Sequence, residues 1–354
     1  MKSRPSAVKC HFAGWIPALF ASALSAAALA QSFTSRELVD VEFVDSNGLA
    51  ILVSNPAARA PGLYHWAHRA SAPTKVCALA SPASFSFDRH FVIERVRSEP
   101  SIVNVFDVRR CRRVAHIRVP GSIVVDADAH GKQLAIATRD KDGNRKVRLF
   151  TFRGKQLAET SVGVNVEMGF SPDGKALVNF DLSDKTDARS GIWTLPRLKR
   201  APAPAWAIEG ETTFVQGARF VKRYAANSLS VVRWPDGRRL HTVAAGQNAR
   251  LRALSGNGRY GLLHQRQEQL ESLDWIDFAT GRRLTIASGP HGGIDHATID
   301  ATGRSFAWTE RSAGSDNRVT VRKASIDVEG TPVIRPANPL DAIGEKPASA
   351  VSQP

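Results

Sequence analysis

Six side chains have the type and spacing to line a ligand site. Asp126 and Asp128 stand two apart in one strand-like run, Arg250 and Arg252 stand two apart in another, and Glu167 and Asp295 occupy comparable short runs. Residues i and i+2 of a strand share a face, so each pair points one way. The four carboxylates Asp126, Asp128, Glu167 and Asp295 would suit a hard cation such as calcium, which takes about six to eight oxygen ligands. The competing reading is a wet, polar channel in which the carboxylates face Arg250 and Arg252. Strand alternation alone explains one polar face on each strand, so the channel reading is preferred and no metal site or cofactor is predicted.

Stronger catalytic signatures are missing from the sequence. It holds no Gly-x-Ser-x-Gly elbow, no His-Glu-x-x-His, no phosphate-binding P-loop and no Cys-x-x-Cys. His291-Gly292-Gly293 has the form of an oxyanion loop but no nucleophile elbow to serve, and it reads as a Gly-rich turn. Asp140-Lys141-Asp142-Gly143-Asn144 lacks the distal bidentate carboxylate of a calcium loop and reads as a hairpin turn.

The elements that must position these residues form an internal repeat. Turn residues recur at positions 48, 88, 131, 174, 217, 258 and 303, separated by 40, 43, 43, 43, 41 and 45 residues. A large apolar residue keeps step 17 to 19 positions later: Trp66, Phe106, Phe150, Trp193, Trp234, Ile276 and Val321. Each unit reads as four short strands, most clearly at 248–287 with its Asn257-Gly258 and Thr280-Gly281 turns. Four strands per ~40–45 residues is the period of a β-propeller blade. The fold expected is therefore all-β: a seven-bladed propeller of four-stranded antiparallel blades over 38–334, with 31–37 as a preceding segment and 335–354 as a disordered Pro/Ala/Ser-rich tail. The first and last blades have residues enough for four strands each, and Ser32–Glu37 could add one, so the sequence leaves the mode of ring closure open.

Phe170-Ser171-Pro172-Asp173-Gly174-Lys175 before an apolar strand resembles the repeat of WD-repeat and TolB-type propellers, and Ile276–Leu284 resembles their third-to-fourth-strand turn. The resemblance covers about 40–334 and implies architecture more than activity, because propellers host binding proteins and enzymes alike. It implies a site, if there is one, at the channel mouth.

Composition sets the remaining bounds. With 43% hydrophobic and 23% charged residues, the 354-residue chain is neither a disordered tail, a collagen nor a disulfide-stapled miniprotein. Lys2, Arg4 and Lys9, an apolar run from Phe12 to Leu24, and Ala28-Leu29-Ala30 have the form of a secretory signal, with cleavage expected after Ala30 and a periplasmic or secreted product. Cleavage lowers the 48 Lys+Arg to 45 against 33 Asp+Glu, a net +12. Much of that excess lies in Arg109, Arg110, Arg112, Arg113, Arg238, Arg239, Arg282 and Arg283, at turns between third and fourth strands, which in a propeller share one side.

The preferred function is a monomeric, non-catalytic binding or scaffold module for a protein or an anionic cell-envelope component, with nucleic acid disfavoured by compartment and no membrane span after cleavage. The alternative is a lactonase-like or dehydrogenase-heavy-chain-like enzyme with its site around Asp126, Asp128, Glu167, Arg250 and Asp295. Cys77 and Cys111 fall in the outer strands of the first two blades, and whether they bond depends on whether their Cα atoms come within ~7 Å.

Overall fold

The computed structural model describes residues 31–333 apart from 36–38, 46–47, 55–60, 68–69, 81, 97–100, 120–121, 129, 140–144, 163–167, 180–190, 208–210, 216–219, 226, 247, 291, 313–318 and 327–331. The predicted signal (1–30), the predicted tail (335–354), Glu167, His291 and the 140–144 hairpin lie outside these residues.

Seven antiparallel sheets follow one another along the chain at 39–78, 83–119, 122–162, 168–201, 211–244, 249–290 and 294–326, here called blades 1 to 7. In each of blades 1 to 6, four strands pair in chain order. The first strands of neighbouring blades touch one another, Val39–Asp45 against Ile294–Ile299 and Ala249–Leu254 against Ile294–Ile299, so they form the inner wall of the ring. This is the seven-bladed, all-β propeller expected from the repeat.

Inner and outer strands differ because their surroundings differ. A second strand lies between two neighbouring blades and is apolar on both faces, as in Gly48–Val53, which is buried throughout. A fourth strand has solvent beyond it and alternates: Gln156–Val162 and Arg283–Pro290 expose every other residue or nearly so. The core is accordingly not central but lies in seven clusters, each spanning one pair of neighbouring blades, including blade 7 to blade 1. The second sequence marker has a location in this scheme. Trp66, Phe150, Trp193 and Ile276 lie on third strands opposite Leu49, Leu134, Leu177 and Gly261, all buried between blades.

The turn after each innermost strand explains the Ser-Pro-Asp-Gly pattern. Ser171 Oγ donates to Asp173 Oδ1 at 2.6 Å and accepts from Ala176 N–H at 3.0 Å, clamping the turn to the start of the next strand. Ser255 and Asn257 repeat it in blade 6, at 2.7 and 3.0 Å. The fourth position of the pattern is left-handed, with φ of 74° at Gly258, where a side chain costs energy. Blade 2 puts Arg89 there instead, at φ 64°.

Ring closure, which the sequence left open, uses the N-terminal segment. Gln31–Ser35 is part of the ring: it pairs antiparallel with Val319–Ile326, Gln31 opposite Lys323 and Ser35 opposite Val319, and so supplies the outermost strand of blade 7. After Ile326 the described chain returns to this edge only as Pro332–Val333, over Ser325 and Ile326. Proline has no N–H to continue a ladder. The edge over 319–323 is taken by the N-terminal strand.

Cys77 and Cys111 are bonded, with Cα atoms 6.1 Å apart, and join the rims of blades 1 and 2. Cys77 is in the outer strand Thr74–Ala78. Cys111 sits in the turn before Arg113–Val119 at φ 50°, in the turn where blade 6 has Gly281 at φ 73°. The bridge closes a loop of sequence separation 34, for which loop-closure entropy gives about 3–4 kcal/mol. Cys77→Ser should therefore lower the thermal midpoint by roughly 5 °C, as calorimetry would show. Cys111→Gly should lose less than Cys111→Ser, by about 1 kcal/mol, because glycine accepts the left-handed backbone; equal losses would contradict that account.

Candidate functional site

The five candidates within the described residues, Asp126, Asp128, Arg250, Arg252 and Asp295, do not form one cluster. Antiparallel order places the start of every innermost strand, and the turn between second and third strands, on one face of the ring. The turns after the first and third strands lie on the other. Asp126 and Asp128 end their strand, Ser122–Asp128, near the second face, whereas Arg250 and Asp295 begin theirs, Ala249–Leu254 and Ile294–Ile299, at the first. Blades 3 and 6 are also on opposite sides of the ring. A single site built from Asp126, Asp128, Arg250 and Asp295 is thus excluded by topology.

Asp126 and Asp128 are occupied in holding the fold. Asp126 is buried and accepts N–H bonds from Phe87 in blade 2, at 2.9 Å, and Phe170 in blade 4, at 2.8 Å, so one carboxyl ties three blades together. Burial pushes its pKa up to about 7, against the pull of those two donors. Asp128 fills the place that serine has in blades 4 and 6 and accepts from Gly131 N–H at 2.5 Å. Among the described residues, no group of three or more His, Cys, Asp or Glu is placed to hold a metal ion.

A second buried acid, which the sequence reading missed, joins blades 7, 1 and 2. Glu42, on the innermost strand of blade 1, accepts from Thr298 Oγ1 at 2.8 Å and lies 2.8 Å from Arg89 Nε. The Arg89 N–H is not aligned on the carboxylate, so the contact is electrostatic rather than a directed hydrogen bond. Burial raises the Glu42 pKa well above the usual carboxylate range, with Arg89 opposing. This contact gives a reason for a non-glycine residue in the left-handed turn at 89, because the long Arg89 side chain reaches Glu42 from there. Period alone could not reveal it, because the partners come from different repeats.

On the first face, the strand starts of blades 6 and 7 carry a different arrangement. Arg311 donates to Asp295 Oδ2 at 2.6 and 3.2 Å, which engages the carboxylate candidate described on that face. Arg252 donates to His264 Nδ1 at 3.0 and 3.3 Å, so Nδ1 is the unprotonated nitrogen. His264 Nε2–H then donates to Glu271 Oε2 at 2.9 Å. Burial, with Arg252 and Arg266 nearby, lowers the His264 pKa against Glu271, which keeps the ring neutral. Glu271 also accepts from Ile294 N–H at 2.5 Å, and its pKa is lowered because this and its other hydrogen bonds outweigh burial. Arg250 lies over the Tyr224 ring, 5.6 Å from its centroid. Asn248, Arg250, Arg252, His264, Arg266 and Glu268 line a cavity of about 310 Å³.

The predicted basic rim lies on the second face. Arg109, Arg110, Arg112, Arg113, Arg238, Arg239, Arg282 and Arg283 are all exposed at turns between third and fourth strands. Several are anchored at their bases. Asp107 Oδ1 accepts the backbone N–H groups of Arg109 and Arg110 at 3.1 and 3.0 Å, and Arg283 donates to Ala244 O across to blade 5.

The fold and these faces define a seven-bladed β-propeller of four-stranded antiparallel blades. The solved β-propeller domain of Myceliophteria thermophila Cps50 (Swd1) is 12% identical, with a TM-score of 0.51 over 80% of this chain and 96% of that one. A chain of the mitotic checkpoint complex is also 12% identical, with a TM-score of 0.49 over 91% of this chain and 99% of that one. No family model and no curated protein matches the chain. No helix among the described residues is long and apolar enough to cross a membrane.

Proposed function

We propose that this chain is an exported, periplasmic, non-catalytic binding module whose basic turn face holds a protein or an anionic envelope component, and that it works as a monomer. The observation that carries this reading is the contrast between two sets of charges. The acidic channel candidates within the described residues are engaged by backbone N–H groups or by Arg311, whereas the arginine runs stand exposed on one face. Fixed positive charge of that kind attracts acidic surfaces at long range. The N-terminal pattern supports export: the expected cleavage point after Ala30 abuts Gln31, the first residue of the closing strand, so processing there leaves the ring whole. The TolB-type form of the repeat at 170–175 supports the periplasm.

The test is charge reversal, Arg109→Glu, Arg110→Glu, Arg238→Glu and Arg239→Glu together, with native pull-down and binding to anionic vesicles as readouts. Each basic residue near an anionic surface is worth about 1 kcal/mol, so the variant should bind at least about a hundredfold more weakly, and wild-type binding should fall as salt rises. Unchanged capture and vesicle binding by the variant would sink the proposal. Robust turnover of lactones, glycosides or redox dyes by the purified protein would replace it with the enzyme reading.

A further inference from the structure

We infer that a second cavity, over blades 3 to 6 on the face of the basic turns, binds a small organic cation, an alkylammonium or quaternary ammonium group. The inference stands apart from the function proposed above, which concerns the arginine runs of that face. Within the described residues the cavity has Pro172, Phe220 and Trp234 as apolar walls and His130, Asp173 and Arg233 as polar groups, and its volume is about 500 Å³. That is within the range of small-molecule sites. The lining comes from the turns after the first strands of blades 3 and 4, and from blade 5 where Phe220–Ala225 begins and Ser228–Arg233 ends. Phe220 and Trp234 are buried, whereas His130 and Arg233 are exposed, so the rings make the floor and the polar groups the lip.

The lining is negative once its ion pairs are counted. Arg233 donates from Nε to both oxygens of Asp236, at 3.1 and 3.0 Å, and from Nη2 to Oδ2, so that pair is neutral. His130 Nδ1 stands 3.4 Å from Asp128 Oδ1. Asp173, among the described residues, accepts from neutral donors: Ser171 Oγ at 2.6 Å, Trp234 Nε1–H at 3.3 Å and Lys175 N–H at 3.3 Å, all at Oδ1. The turn does not need that charge. In blade 6 the uncharged Asn257 makes the same clamp, with Ser255 Oγ at 2.7 Å and Arg259 N–H at 3.0 Å. Asp173 therefore adds a carboxylate, with Oδ2 left over from the clamp, to a wall that already holds two aromatic rings. The indole is fixed in place, because the rings of Trp206 and Phe214 pack against it at 6.2 and 5.1 Å between centroids and at 68° and 61°. A carboxylate beside aromatic rings is the chemistry that holds an ammonium: the one attracts it as an ion, the others through their quadrupoles. An anion would meet the Asp173 charge, and an uncharged apolar ligand would bury it without a partner. The basic turns lie outside the described lining and act at longer range, where salt screens them.

The experiment is calorimetric titration of the full chain with choline and with butylammonium, against the neutral alcohol in which carbon replaces the choline nitrogen. Saturable binding of at least one cation, at least about tenfold tighter than the alcohol, is expected. Asp173→Asn keeps the turn clamp, as Asn257 does in blade 6, so the variant should melt as the wild type does. It should nevertheless bind the cations at least about tenfold more weakly, with the alcohol unaffected. Phe220→Leu keeps an apolar wall without a ring and should cut the preference for cation over alcohol about threefold, a ratio that a purely structural role would leave alone. Vesicles of phosphatidylcholine form a further arm. Choline binding without vesicle binding assigns a free amine, and vesicle binding that is lost in Asp173→Asn assigns a lipid headgroup; either supports the site. The inference is overturned if no cation binds saturably, free or on vesicles, if the alcohol binds as tightly as choline, or if Asp173→Asn binds cations as the wild type does. The four-arginine reversal that tests the proposed function leaves Asp173 and both rings in place and should retain cation binding, so failure here and failure of that function are distinguishable.

Discussion

A chain that starts at Val39 instead of Gln31 is expected to lose about 3–5 kcal/mol of stability and to self-associate. Gln31–Ser35 pairs along its whole length with Val319–Ile326, and each backbone hydrogen bond contributes about 1 kcal/mol net. Removal also uncovers the edge of a strand that buries Val319 and Val321 on one face and Ile326 on the other, and an uncovered edge is a template for pairing with a second copy. The junction is otherwise held by side chains. Lys323 Nζ donates to Ala67 O at 2.9 Å and sits 4.7 Å from the Trp66 ring centroid, joining blade 7 to blade 1. Thermal unfolding and light scattering of the two chains would measure both effects. A truncated chain that melts with the full one and stays monomeric would show that the blade 7 to blade 1 packing closes the ring unaided.

The second large effect is a dependence of stability on pH that runs opposite to acid denaturation. The pKa of Asp126 is pushed up to about 7 in the folded protein from an ordinary value near 3.8. The folded chain therefore binds more protons than the unfolded chain between roughly pH 4 and 7, and stability falls as pH rises through that window. For a shift of that size the gain at pH 5 relative to pH 8 is about 2–3 kcal/mol. Glu42, raised by burial, acts in the same direction. Asp126→Asn should flatten the profile. It should also cost about 1–3 kcal/mol at pH 5, because an amide has one acceptor oxygen for the two N–H groups of Phe87 and Phe170. At pH 8, where the native carboxylate is a buried charge, the variant should compare more favourably. Denaturant titrations at both pH values decide it; a wild-type curve that steepens upward with pH across this window contradicts the account.

Much of the fold was legible because a propeller is built from local hairpins. The period, the four strands per unit and the blade count all follow from turn residues and from one apolar marker per repeat. Those markers became the third-strand residues packed between blades. The basic rim was legible for the same reason: the turn that carries Arg238 and Arg239 in one repeat is on the same side as the turn that carries Arg282 and Arg283 in the next.

What the chain could not reveal by itself is anything made between repeats. A strand pattern places Asp126 and Arg250 on innermost strands, but not at opposite ends of them and on opposite sides of the ring. Nor does it show that Asp126 is consumed by N–H groups 39 and 44 residues away in sequence. His264, Glu271 and Arg266 carried no motif; they meet Arg252 within blade 6, and from blade 7 only the Ile294 N–H reaches Glu271. The same holds for the Cys77–Cys111 bond and the N-terminal closing strand, whose partners are 34 and about 290 residues off. Local hydrogen-bonding and alternation determined the seven blades. The angle at which blades pack, which brings distant residues within a few ångströms, decided which charges are buried, which are paired, and which are left facing an open cavity.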